Sequence, residues 1–266
     1  TKVTLAYTFD CHAIPSGDLY LALEEPQTFR VALNGHAITT TAECGWWVDC
    51  SLRKLPVNSA FLKLGANEIV LECDYAETHP GLEIVFLLGN FGTAVNDTAV
   101  ALTAAPAALK IGDWVQQGLA FYSGSVAYRC ALDLKTAPGE RVFVRVPEYR
   151  GVGVRVLVNG QAAGIIGWEP NEVEITPLLA GAAGGRLGEA SLPDGQGRDG
   201  CPSRPVELAI EVIGHRRNSH GPFHITEKWP EWTGPGEYTC DADRWFEGYQ
   251  LVPCGLMAPP VVEVRH

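Results

Sequence analysis

One pattern occurs twice in this chain and limits what the chain can fold into. Phe29-Arg30-Val31-Ala32-Leu33-Asn34-Gly35-His36-Ala37-Ile38 reads as strand, Asn-Gly turn, strand, and Val154-Arg155-Val156-Leu157-Val158-Asn159-Gly160-Gln161-Ala162-Ala163 reads the same way. An Asn-Gly pair between alternating apolar runs is a strong hairpin signal, because both residues tolerate the positive φ of a tight type I′ turn. Each copy is followed by a short helical or turn segment and then another alternating strand. The first expectation is therefore two copies of one β-unit.

The rest of the chain agrees with that frame. Leu19, Leu21 and Leu23 alternate with Tyr20, Ala22 and Glu24, and Ile69, Leu71, Cys73 and Tyr75 with Glu68, Val70, Glu72 and Asp74. This is the period of two of a sheet with one face on a core. Leu82 to Leu88 is almost continuously apolar, which predicts a strand central in its sheet, whereas Asp49 to Pro56 predicts at most a short helical turn. Residues 96 to 113 are Ala- and Thr-rich without a period, so the sequence divides near Ala104 into domains 1–104 and 105–266. In the second, strands are expected at Val126 to Leu134, Arg141 to Val146, Val154 to Val158 and Val206 to Val212. Two long loops interrupt it, the Gly-, Ser- and Pro-rich 180–205 and the aromatic-rich 214–248. No helix-period segment of ten or more residues competes, so the expected class is all-β, two β-sandwiches in tandem.

Composition removes several functions. A net charge of −11 leaves no basic stripe for nucleic acid. No apolar run reaches the ~18 to 20 residues of a membrane span. Nothing reads as a signal peptide, and the compartment, bacterial cytoplasm or secreted, stays open; the start at Thr1 rather than Met suggests a piece of something longer. The eight cysteines form no C-x-x-C pair and are expected to be mostly reduced, with Cys73 and Cys130 in strand-like runs acting as small buried hydrophobes.

Catalytic and metal signals are weak. Glu227, Glu231, Glu237, Asp241, Asp243 and Glu247 crowd the second long loop, as a glycosidase pair would need, but such a run also describes a solvated acidic surface. No G-x-S-x-G elbow or phosphate-binding glycine motif is present. His220 and His224 have the spacing of a helical metal pair, but Gly221-Pro222 between them opposes helix. No metal or cofactor is expected; Asp241, Asp243 and Glu247 are candidates for a structural calcium but lack an EF-type spacing.

Aromatic residues are the stronger signal. Sugar rings pack their C–H faces on Trp and Tyr while polar side chains meet their hydroxyls. Trp229, Trp232 and Trp245 lie in the 214–248 loop with Arg217, Asn218 and His224, and Trp47 and Tyr122 are further candidates. These rings either plug the open end of a sandwich or form a ligand platform, and both are open from sequence.

Several stretches resemble a known group. Val154 to Thr176, with its V-x-V-N-G-x-x-x-G hairpin and the Ile175 to Leu179 segment after it, resembles the galactose-binding-like jelly roll of family 2-type glycoside hydrolases. Ile213 to His224 is similar to the R-N-x-x-G-P-x-H loop of large bacterial glycosidases related to the α-L-rhamnosidases, and Tyr249 to Leu256 to their closing strand. Gly45 to Asp49 and Gly81 to Gly89 resemble the preceding β-domain. In such enzymes the catalytic acids belong to a separate domain with long helices, which this sequence lacks. The resemblance thus implies a non-catalytic, carbohydrate-binding or carbohydrate-associated module. Its partners would be an oligo- or polysaccharide and a catalytic domain of the same parent. A purely structural accessory role, or hydrolysis by the loop carboxylates, are the alternatives.

Overall fold

The computed structural model describes residues 1–82, 84–134, 136–179, 205–228 and 233–266; the 180–205 insertion falls almost wholly outside them. The protein is all-β, its only α-helices among the described residues being single turns, α1 (Thr176–Leu179) and α2 (Arg217–His220). No described helix is long and apolar enough to cross a membrane. Two compact units result, but not by one cut near Ala104. The first comprises Thr1–Leu109, Val115–Phe121 and Pro222–Leu251, and the second Lys110–Trp114, Tyr122–Gly221 and Val252–His266. Most of the aromatic-rich loop, assigned by sequence to the second domain, packs in the first unit.

Unit 1 contains β1 (Lys2–Cys11), β2 (Leu19–Leu23), β3 (Arg30–Leu33), β4 (His36–Ile38), β5 (Trp46–Trp47), β6 (Asp49–Val57), β7 (Gly65–Asp74), β8 (Phe86–Gly89), β9 (Gly92–Asn96) and β10 (Ala99–Thr103). One sheet has the order β4-β3-β7-β1-β10-β9 and the other β5-β6-β2-β8. Their alternating apolar positions meet in one core, where Val31, Leu33, Ile69 and Leu71 of the first sheet join Leu21, Leu23, Leu55 and Val57 of the second. Burying each such side chain contributes ~1.5–3 kcal/mol. Two expectations change here. Asp49 to Pro56 is strand rather than helical turn, because its cross-strand pairing with β2, Leu21 opposite Leu55, supplies the order its irregular pattern lacks. The apolar run ending at Leu88 forms an edge strand, β8, rather than a central one, and Leu82 and Ile84 ahead of it are exposed.

Unit 2 contains β11 (Ser125–Leu132), β12 (Arg141–Arg145), β13 (Tyr149–Arg150), β14 (Gly153–Val158), β15 (Gln161–Ile166), β16 (Glu172–Glu174), β17 (Val206–Ile213), β18 (Gly255–Leu256) and β19 (Val261–Arg265). Its sheets run β11-β17-β14-β15 and β16-β12-β19, with β13 paired to β18. The same strand order, in the same chain order and with every pairing antiparallel, occurs in unit 1 as β1-β7-β3-β4 and β6-β2-β8. Beyond this shared frame, unit 1 adds β5 and the β9–β10 hairpin, and unit 2 the β13–β18 pair. Cys73 is buried as expected, but Cys130 on β11 is exposed.

The two Asn-Gly turns match in detail. Asn34 and Asn159 both have φ of 50°, and Gly35 and Gly160 both 79°. In each, the asparagine ties the hairpin to the next strand through one glutamate backbone. Asn34 donates its N–H to Glu68 O at 2.9 Å and accepts from Glu68 N at 3.0 Å. Asn159 does the same with Glu207, at 2.8 and 3.0 Å. Asn34 also donates from Nδ2 to Phe61 O and to Oδ1 of the buried Asn67, both at 2.8 Å.

The outer face of β12 carries Phe143 between Arg141 and Arg145, and the two arginines meet carboxylates of β16 and β19. Arg265 binds Glu172 at 2.6 Å and Glu263 at 2.7 Å, Arg145 binds Glu263 at 2.9 Å, and Arg141 reaches both oxygens of Glu174. Hydrogen bonds from Arg265 hold Glu172 and Glu263 below the usual carboxylate range, and those from Arg141 do so for Glu174.

Two outcomes are expected. Asn34→Ala should destabilise by ~2–4 kcal/mol and Asn159→Ala by ~1–2 kcal/mol, since the first loses more side-chain bonds from a left-handed position. Urea midpoints at constant slope would measure the difference. The three glutamates have lowered folded-state values, so their contribution is present above their unfolded value of ~4.3 and is lost as pH falls through the folded values. Unfolding midpoints between pH 7 and 3 should therefore drop below about pH 4.3, and the drop should be shallower in a Glu172→Gln/Glu263→Gln variant.

Candidate functional site

The additions to unit 1 build a cavity of about 260 Å³. The β9–β10 turn supplies Val95 and Asp97, the segment after Trp114 supplies Val115, Gln116 and Ala120, and the returning chain supplies Lys228, Phe246 and Tyr249–Leu251. None of these residues belongs to the strand frame shared with unit 2. Asp97 sits at the turn with φ of 54°, where Asp is among the few side chains tolerated.

Each wall is fixed by hydrogen bonds. Thr93 N donates to Gly118 O at 2.8 Å and Ala120 N to Thr93 Oγ1 at 3.1 Å, holding the 115–120 segment on β9. Gly92 opens β9 where a Cβ would lie 2.6 Å from Ala104 O, so only glycine fits. Tyr249 N donates to Asp97 O at 3.3 Å and Gln250 N to Phe223 O at 2.7 Å. His224 Nδ1 lies 3.2 Å from Phe246 O and 3.0 Å from Gly248 O. Carbonyls only accept, so Nδ1 carries the proton and clamps the turn that presents Phe246 and Tyr249. His224 also stacks on Trp245, with ring centroids 4.8 Å apart, and tilts against Tyr249 at 5.0 Å. Phe121 and Phe223 pack edge-on against Tyr249 at 5.4 and 5.9 Å. Burial pushes the Tyr249 phenol up, so it stays protonated at neutral pH.

The lining therefore combines aromatic rings, one acceptor-only carboxylate, one donor-only ammonium and two amides that do both. That is the chemistry of polyhydroxylated ligand recognition, in which apolar faces meet rings and hydroxyls meet fixed polar groups.

The residues singled out by sequence fall in different places. His224 and Trp245 are in unit 1 and brace the cavity from behind. Trp47, also in unit 1, is half-buried against Phe86 at 4.7 Å. Tyr122 is in unit 2, exposed, with its hydroxyl donating to Ser125 O at 3.1 Å. Trp229 and Trp232 lie outside the described residues. Arg217 and Asn218 lie in unit 2. Asn218 is fully buried, its amide donating to Val252 O at 2.7 Å and accepting from Val252 N at 2.9 Å, so it acts as a strand-like clamp within unit 2. The side-chain nitrogens of Arg217 are buried as well. Its four-residue helix stops at Gly221, φ 80°, so His220 and His224 do not share a helix. Among the described residues no three of His, Cys, Asp or Glu gather as metal ligands, Asp241, Asp243 and Glu247 included. Glu237 caps Gly234 N at 2.7 Å. Asp97, Gln116, Lys228, Phe246 and Gln250 were not foreseen, because they become neighbours only when three distant segments meet; the one local hint was the Asn96-Asp97 turn in a stretch read as a boundary.

No family model matches the chain, and no curated protein matches it. Among solved structures it is similar to a rhamnosidase from Novosphingobium sp. PP1Y, with a TM-score of 0.32 and 14% identity over 99% of this chain and 22% of that one. It is also similar to an anti-sigma factor domain-containing protein, with a TM-score of 0.22 and 12% identity over 82% of this chain and 76% of that one. Both scores are too low for either likeness to carry an argument about fold or function.

Gly248 provides a test of the cavity. A Cβ there would lie 2.8 Å from Asp97 Oδ1 and 2.9 Å from the Phe246 ring, both movable side-chain ends that line the space. Gly248→Ala should therefore displace these two groups from the cavity, while unfolding midpoints move little. Shifted Phe246 ring resonances beside an unmoved urea midpoint would show it.

Proposed function

We propose that the protein is a non-catalytic carbohydrate-binding module that takes glycan in the unit 1 cavity. The observation that carries this reading is the mixed lining, Phe246 and Tyr249 beside Asp97, Lys228, Gln116 and Gln250. On this reading the units are tandem galactose-binding-like jelly rolls, and the module accompanies a catalytic domain of a glycoside hydrolase-like parent. The common strand frame of the two units and the hairpin and R-N-x-x-G-P-x-H stretches support that placement.

Binding should be weak, micromolar to millimolar (roughly −4 to −8 kcal/mol), because each ring contributes only about 0.5–1.5 kcal/mol beyond area burial. Calorimetric titration with a panel of neutral glycans should give saturable heat, reduced at least about tenfold in Phe246→Ala and Asp97→Asn (~1.4 kcal/mol) and unchanged in Trp168→Ala. Wild type silent toward every glycan would end the reading, as would full binding by both cavity variants.

One observation favours a second reading, accessory domains that pack on a further domain. Trp168 of unit 2 is 83% exposed, Ile165 three positions before it is 66% exposed, and Val152, just ahead of β14, is 65% exposed. Trp168→Ser should then raise solubility without touching glycan heats.

A further inference from the structure

Resting on that reading, we infer that unit 1 has a second site for a neutral sugar, in an open hollow of about 350 Å³ between the β2–β3 and β7–β8 connections. The shared strand frame brings these two connections together in both units, and in unit 2 the space between them is closed. There the equivalent connections, β12 to β14 and β17 to β19, carry β13 and β18, which pair as Tyr149 opposite Leu256 and Arg150 opposite Gly255. Met257 N and Ala258 N add bonds to Glu148 O at 3.0 and 3.3 Å, and Leu256 is fully buried. In unit 1 each connection folds on itself instead. Thr28 N and Thr28 Oγ1 donate to Glu25 O at 2.9 and 2.7 Å, and His79 N donates to Ala76 O at 2.9 Å. Among the described residues no backbone hydrogen bond joins the two connections, and the hollow lies between them.

Its lining is fixed before any ligand arrives. Phe29 is buried and meets His79 edge-on, with ring centroids 5.3 Å apart. Gly81 N donates to His79 Nδ1 at 3.2 Å and Tyr75 packs on the same imidazole at 5.4 Å, so that ring is held from two further sides. Arg30, at the start of β3, has its Nε 3.3 Å from Glu72 and its Nη1 3.9 Å from Asp74. A guanidinium has five N–H donors, so this placement still leaves donors for a ligand. Gln27 and Thr78, both exposed, add an amide from one connection and a hydroxyl from the other. Rings beside fixed donors and acceptors suit a sugar, its C–H face on the rings and its hydroxyls on the polar groups. Two carboxylates against one guanidinium leave no positive charge to attract an anion, so the ligand is a neutral sugar. The hollow is more open than the cavity at the β9–β10 turn, shields less of its ligand and therefore binds it more weakly.

Titration of the 15N-labelled protein with each neutral glycan of the panel, and with uronate-containing glycans, tests this by following backbone amide resonances site by site. A neutral glycan should shift two separate groups, residues 95–97 with 249–251 and residues 27–30 with 76–81, the second saturating at least about threefold later. Gln27→Ala and Thr78→Ala, both on exposed side chains, should weaken the second group at least about threefold and leave the first unchanged. Asp97→Asn should do the reverse. Shifts at the cavity alone overturn the second site and leave the carbohydrate-binding reading standing. Shifts at the hollow that neither Gln27→Ala nor Thr78→Ala weakens, or that a uronate-containing glycan produces at lower concentration than any neutral one, also overturn this inference alone. Shifts at the hollow alone, weakened by the two variants, uphold it and overturn the cavity as the binding site. No shift with any glycan overturns both.

Discussion

The asparagine of each hairpin turn holds its unit's frame together. A turn fixes the register only of the strands it joins, and a slip of one residue would send every core side chain to the solvent face. Asn34 and Asn159 extend that control to a third strand by exchanging two hydrogen bonds with one glutamate backbone, Glu68 and Glu207 respectively. The third strand then pairs along its length with the first strand of the unit, Leu5 opposite Leu71 in one and Tyr128 opposite Ile210 in the other. One amide thus ties three adjacent strands of each sheet in register.

On this common frame the units differ. Unit 2 surrounds its frame with fixed polar contacts, the Asn218 clamp on Val252 and the arginine–glutamate lattice around Phe143. Unit 1 instead carries the β9–β10 hairpin beside β1, and the chain returns to it after Gly221. The cavity lies only in these additions, so its walls can change without disturbing the core. His224 shows how the parts divide the work: it does not line the cavity, but packs on Tyr249 and fixes the turn from which two lining rings project.

Much of the fold was readable along the chain and much of the site was not. The hairpins, the alternating strands β2, β7, β14 and β17, and the all-β class follow from local periodicity and turn chemistry. Strand β6 did not, because Leu52, Leu55 and Val57 keep no simple period and become strand through pairing with β2. The apolar run at β8 indicated burial without indicating a neighbour, and the structure gives it one partner strand at an edge. Asn218 looked like a ligand-binding loop residue because Asn beside Arg and His suits sugars, yet the same amide equally suits a buried backbone.

The sequence alone determined the β class, the duplication and the two turns, since these depend on residues within a few positions of one another. Tertiary structure decided which unit received the aromatic-rich segment and which of its residues face a cavity. Asp97, Gln116, Lys228 and Gln250 are separated by up to some 150 positions. They become neighbours only through backbone hydrogen bonds from Thr93 to Gly118, from Tyr249 to Asp97 and from Gln250 to Phe223. Backbone groups are the same at every residue, so no side-chain pattern announces such pairings.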